Sequence, residues 1–253
     1  MSAGRYVALG SSMAAGPGIP PRVPGSPRLA ARSARNYPHL VATDLGFDLV
    51  DVTYSGATTA HILTDSQHGA PPQIEALTPD TALVTITIGG NDIGYVPMLS
   101  AATMPALLRR LPPLRDLLGP AARDRAVAAL ADSMRAVGEA VRARCDGRVM
   151  FVDYLTLLPP GPAPPLSDAH ADLGRRLAAR LADVTAAAAA DTGCELVRAA
   201  QASVEHHAWS ADPWTLGPGF PLAFLFGRPA PLHPNAAGMR AVADLVIQRW
   251  RAR

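Results

Sequence analysis

In Tyr6-Val7-Ala8-Leu9-Gly10-Ser11-Ser12-Met13-Ala14-Ala15-Gly16 an apolar run is closed by a glycine and two serines, Gly10-Ser11-Ser12. A short apolar run closed by a turn signal reads as a buried strand that delivers a hydroxyl residue to its carboxyl end. Read as Arg5 to Leu9, it is the first of five such segments. The others are Asp48 to Val52, Ala82 to Ile88, Val149 to Tyr154 and Glu195 to Val197. Their near-continuous Val, Ile and Leu content suits parallel strands covered on both faces. Apolar residues at helical spacing lie between and after them, in Asn36 to Leu45, Arg123 to Arg144, Asp168 to Ala190 and Asn235 to Trp250. Alternating strands and helices predict an α/β fold built on one doubly wound sheet. Ligands of such sheets bind beyond the carboxyl ends of the strands. One domain spanning 1–253 is expected. The proline-rich tracts Pro17 to Pro27, Pro112 to Pro120 and Pro159 to Pro165 read as loops over that domain, because the strand pattern continues across each. The stretch from Pro17 to Ser33 reads either as an ordinary surface loop or as a cover for a site beside Ser12.

Four residues fall where the sheet should open. Ser12 follows the first strand, Gly56 the second and Asn91 the third; His233 precedes the last helix. Each alone has an ordinary explanation. A serine after a strand is usually a turn residue or helix cap, and an asparagine after two glycines suits an Asx-turn. Together they are a nucleophile, a base and two oxyanion donors, the parts that acyl transfer requires. Gly56 brings a backbone N–H close to a ligand with no Cβ in the way. Asn91, in Gly89-Gly90-Asn91-Asp92, offers a side-chain amide. Pro234 fits the first turn of a helix and would hold His233 at the lip of the sheet. His206 and His207 lie in a polar loop, while His39, His61, His68 and His170 look like helix or surface positions. No G-x-S-x-G elbow surrounds Ser12, which disfavours an α/β-hydrolase fold. No glycine fingerprint follows the first strand, which disfavours a nucleotide binder.

Gly10-Ser11-Ser12, Gly56, Gly89-Gly90-Asn91-Asp92 and His233 resemble the four blocks of the SGNH (GDSL-type) hydrolase superfamily. Arg32-Ser33 with Asn36-Tyr37-Pro38, Ser55-Gly56-Ala57-Thr58-Thr59 and Asp212-Pro213-Trp214 extend the likeness to the actinobacterial esterase and lipase branch. The resemblance implies a three-layer α/β/α sandwich of flavodoxin-like type with a five-stranded parallel sheet. It implies hydrolysis of carboxylic esters with no metal or other cofactor: Ser12 and His233 catalytic, and Ser12, Gly56 and Asn91 forming the oxyanion hole. Two positions depart from the family pattern. Ser11 stands where the family usually has Asp before the nucleophile. Ala230 stands where it usually has Asp three residues before the histidine. His233 therefore needs another acceptor for its second ring nitrogen. A backbone carbonyl in the Phe226 to Ala230 loop is the first expectation, giving a Ser-His dyad; Asp212 is the second. The same residues would also serve an acyltransferase or thioesterase, and the two departures leave a non-catalytic lipid- or carbohydrate-binding module as a rival.

Composition narrows the partners. The 253 residues carry a net charge of +2, with charged residues at 17% and every basic residue an arginine. The arginines are scattered, which argues against nucleic acid. No apolar stretch reaches membrane-spanning length, and the opening Met-Ser-Ala-Gly-Arg lacks the pattern of a secretory leader. Cys145 and Cys194 form no metal-ligand spacing; they read as two unpaired, buried thiols, since no disulfide framework is visible, with a single bridge between them as the alternative. A cytoplasmic location is expected, as disulfides are usual in secreted members of the branch. The partner expected is a small acyl ester. Met98, Leu99, Met104, Phe220, Leu222, Phe224, Leu225 and Phe226 are candidates for an acyl pocket. The Phe220 to Phe226 stretch also reads as a lid, a membrane contact or a dimer patch. Oligomeric state is not legible.

Overall fold

A computed structural model describes residues 4–252; the leader reading rests in part on Met1 to Ala3, which lie outside them. The strands are β1 (Arg5–Gly10), β2 (Asp48–Asp51), β3 (Thr81–Thr87), β4 (Arg148–Val152) and β5 (Glu195–Val197). They form one parallel sheet in the order β2-β1-β3-β4-β5. The α-helices are α1 (Ser12–Ala15), α2 (Tyr37–Leu45), α3 (Thr59–Leu63), α4 (Tyr95–Ala102), α5 (Pro112–Leu118), α6 (Pro120–Arg142), α7 (Asp168–Asp191), α8 (Ala199–Ala202) and α9 (Ala236–Arg251).

The period-2 alternation of strand side chains divides the core between the two faces of the sheet. Tyr6, Ala8, Leu83, Met150 and Val152 pack against Tyr37 and Val41 of α2 and Met239, Val242 and Val246 of α9. Val7, Leu9, Val84, Ile86 and Phe151 pack against Leu130, Met134 and Val137 of α6 and Leu173, Leu177 and Leu181 of α7. The result is the three-layer α/β/α sandwich expected from the blocks. The Pro112 to Pro120 tract is not only loop. Both α5 and α6 begin on proline, which lacks an N–H that the first turn leaves unpaired anyway. Met98 and Leu99 lie on α4, fully buried in the core, so neither is available to an acyl pocket. Cys145 is buried and Cys194 only half-buried, and both thiols are free.

Candidate active site

Ser12, Gly56, Asn91 and His233, drawn from four distant parts of the chain, line one cavity of ≈ 520 Å³. The strand ends converge there for local reasons. Gly10 closes β1 at φ +150, and a Cβ on it would lie 2.6 Å from the Thr87 carbonyl oxygen. Its backbone is clamped by Gln73, which accepts from the Gly10 N–H at 2.7 Å and donates to its carbonyl at 3.0 Å. Ser11 then caps α1, and Ser12 is the first residue of that helix. Gly56 sits at φ +82 in the turn after β2, a left-handed conformation that favours glycine. Two cross-links tie this turn to the Asn91 block. The Asn91 amide donates to the Ala57 carbonyl at 2.8 Å, and the Asp92 carboxylate accepts from the Thr59 N–H and hydroxyl at 3.0 and 2.6 Å. Among the described residues, the N–H groups of Ser12 and Gly56 donate to no protein acceptor. One hydrogen of the Asn91 amide is left after the Ala57 bond.

His233 Nε2 lies 2.8 Å from Ser12 Oγ. Its Nδ1 lies 2.7 Å from the Pro231 carbonyl oxygen, just beyond the Phe226 to Ala230 loop expected to supply it. The turn that folds this carbonyl back is Leu232, at φ 59. That is a costly conformation for a bulky residue, held by the surrounding structure. Leu232 is buried and donates its N–H to the Leu216 carbonyl at 3.1 Å, and the His233 carbonyl accepts from Leu216 at 2.9 Å. Asn235 caps α9 and donates to the Pro213 carbonyl at 2.6 Å. The Asp212-Pro213-Trp214 block thus braces the histidine loop. The Asp212 carboxylate instead faces His206, 3.4 Å from its Nδ1, and His206 stacks on Trp214 with ring centroids 3.9 Å apart. Asp212 is therefore not the partner of His233. Burial lowers the pKa of His233, and the Pro231 carbonyl only partly offsets it.

Sequence reasoning missed three contributors. The Tyr154 hydroxyl accepts from the Gly90 N–H at 3.1 Å and shares a 3.0 Å hydrogen bond with Ser11 Oγ. It joins the serine block to the asparagine block through Ser11, the position where the family usually has Asp. Burial pushes its pKa up to about 12, so it stays a neutral donor. Tyr154 lies two residues beyond the end of β4, not within it. Gln73 gave no sequence signal. His68, read as a surface position, is indeed exposed; it also lines the cavity and stacks on Tyr54 at 5.9 Å. Of the acyl-pocket candidates, Met104 and Phe224 line the cavity. Phe220, Leu222, Leu225 and Phe226 do not, and are exposed. Among the described residues, no group of His, Cys, Asp and Glu could hold a metal ion. Among the described residues, no helix is long and apolar enough to cross a membrane.

Residues 8–241 match the model of the GDSL-like lipase/acylhydrolase family. The chain belongs to that family. It is 34% identical over 250 residues to Lipase 2 of Streptomyces coelicolor, covering 94% of this chain and 83% of the relative. The phospholipase A1 of Streptomyces albidoflavus superposes with a TM-score of 0.75 at 25% identity, over 99% of this chain and 100% of that one. The extracellular lipase of Streptomyces rimosus gives 0.79 at 24% identity, over 98% and 99%. An SGNH hydrolase by fold and family, the chain is a carboxylic ester hydrolase.

Proposed function

We propose that the enzyme cleaves carboxylic esters through an acyl-enzyme formed on Ser12, with His233 as the sole proton carrier. Ser12 Oγ attacks the acyl carbonyl while His233 Nε2 takes its proton. The oxyanion is held by the N–H groups of Ser12 and Gly56 and by the Asn91 amide. His233 then protonates the departing alcohol, and water repeats the sequence on the acyl group. The observation that carries this reading is the 2.8 Å contact between Ser12 Oγ and His233 Nε2 in the wall of the cavity that Gly56 and Asn91 also line. That cavity is largely apolar, lined by Leu29, Val96, Met104, Leu114, Leu117 and Phe224 among others. It suits an acyl chain.

The pair works as a dyad. The Pro231 carbonyl fixes the tautomer that leaves Nε2 free to accept, as a triad carboxylate would. A neutral carbonyl stabilises the imidazolium less than a carboxylate does, so the base is weaker and the turnover slower. The pH dependence gives the test. His233 acts as a base only when neutral, and its pKa is depressed by burial. Activity is therefore retained as pH falls through 6.5, the ordinary histidine value, and is lost only below it. The acid limb of kcat/KM should lie below pH 6.5 and should be the same in Asp212→Asn. A limb above 6.5, or one moved by that substitution, would show a carboxylate acting on His233.

A further inference from the structure

Around the mouth of the cavity, exposed apolar side chains and unpaired arginines are gathered on the same three segments. These are residues 17–33, residues 104–118 and residues 218–230. Of the exposed large hydrophobic side chains among the described residues, all but Val204 lie on them. Leu107 is 75% exposed and Phe226 74%, with Leu29, Leu111 and Phe220 also largely uncovered. The helix α5 has no fully buried residue. Even so, its Leu114 and Leu117 face the cavity, alongside Leu29 and Phe224 from the other two segments. The apolar lining therefore continues outward onto the surface instead of ending at the entrance. A patch of that kind marks a contact site.

The charge of the rim says what it contacts. The three segments carry seven arginines and a single carboxylate, Asp116, which faces Arg115 at 3.5 Å. Arg22, Arg28, Arg110 and Arg228 are exposed, and none forms an ion pair among the described residues. Arg22, Arg28 and Arg32 line a second hollow of ≈ 270 Å³ with Ile19, Phe224 and Leu225. Phe224 is shared by both cavities, so cationic groups stand one side chain away from the acyl cavity. Within the hollow Arg22 donates to the Ser26 carbonyl and Arg32 to the Thr53 carbonyl. Neither bond neutralises a charge.

We propose that these three segments form a docking rim that seats the cavity mouth on an anionic lipid surface. The apolar side chains enter the acyl region and the arginines pair with phosphate-bearing headgroups. The inference rests on the ester-hydrolase reading for what the cavity does, and extends it by naming the physical form of the substrate: an ester presented at an interface. A two-fold pairing of this rim with a second copy would set arginines against arginines, which opposes self-association. An anionic bilayer meets both the charge and the apolar surface.

The test reads binding without turnover. The Ser12→Ala variant is sedimented with vesicles of phosphatidylcholine alone, or of phosphatidylcholine mixed with phosphatidylglycerol. We expect binding to the mixed vesicles that weakens with added salt. Removing Arg28, Arg110 and Arg228 together should reduce it by about a hundredfold, taking roughly fivefold for each basic group near the surface. Leu107→Ser with Phe226→Ser should reduce it by about tenfold or more. Val204→Ser, an exposed apolar change off the rim, should leave binding unchanged; circular dichroism confirms that each variant is folded. Equal binding to both vesicle types, no binding to either, or equal losses in the Val204 variant would overturn the proposal. So would light scattering that shows a dimer dissociated by the rim substitutions. Because the hydrolase reading is judged on turnover and this one on sedimentation, either can fail without the other.

Discussion

Ser12→Ala lowers kcat for a soluble short-chain aryl ester by at least about 10⁴-fold, while KM and the thermal unfolding midpoint change little. The size follows from the role: removing the nucleophile of a serine hydrolase leaves only the acceleration due to the oxyanion hole and binding. The structural cost is small for a reason visible at the site. Among the described residues, the only protein hydrogen bond of the Ser12 side chain is to His233, which keeps its Pro231 contact when the hydroxyl is gone. The residue is nearly buried at the cavity wall, so alanine leaves a small gap open to water. Steady-state kinetics with differential scanning calorimetry on the same preparation checks both halves. A fall in the unfolding midpoint matching the fall in activity would mean that Ser12 matters to the fold instead. Activity near the wild-type level would remove it from the chemistry altogether.

Asn91→Ala carries the second largest effect, a loss in kcat of about 10²–10³ with KM nearly unchanged. One oxyanion donor is worth that much when it is aimed at charge that appears only in the transition state. Asn91 is well prepared for the task. Its amide is already oriented by the 2.8 Å bond to the Ala57 carbonyl, so little reorganisation is needed at the moment of attack. That same bond ties Asn91 to the turn carrying Gly56, so the substitution also loosens a second donor and the two contributions will not separate additively. Comparing kcat and KM for the variant and the wild type decides the matter. A rise in KM at constant kcat would make Asn91 a ground-state binding residue.

Much of this was legible in the residue pattern, and the reasons differ by element. The five strands could be read because buried parallel strands are written as uninterrupted Val, Ile and Leu runs, and the ends found differ from those expected by a residue or two. The long helices could be read because α6, α7 and α9 each bury one stripe. What the pattern hid were features that depend on contacts between distant segments. Pro231 lies two residues before His233, yet nothing local says that Leu232 adopts a left-handed conformation and turns the Pro231 carbonyl onto the ring. Tyr154 reads as one more apolar strand residue. Only the fold shows that it stands past the end of β4, where its hydroxyl meets Ser11 and Gly90. His68 is exposed, as read, but nothing local says that its stacking on Tyr54 sets it at the edge of the cavity. Asp212 misled in the other direction. This carboxylate, the second expectation for His233 and 21 residues before it in the chain, faces His206 instead, as the Trp214 block braces the start of α9.

The account stands or falls on Ser12 as an activated nucleophile. Its most direct test is reaction of the folded enzyme with a serine-directed fluorophosphonate, followed by peptide mass spectrometry. The account predicts one equivalent of adduct, on Ser12, forming faster as pH rises through the His233 titration and absent in His233→Ala. Stoichiometric labelling at Ser11 or any other serine, or labelling at Ser12 that is indifferent to His233, would contradict it.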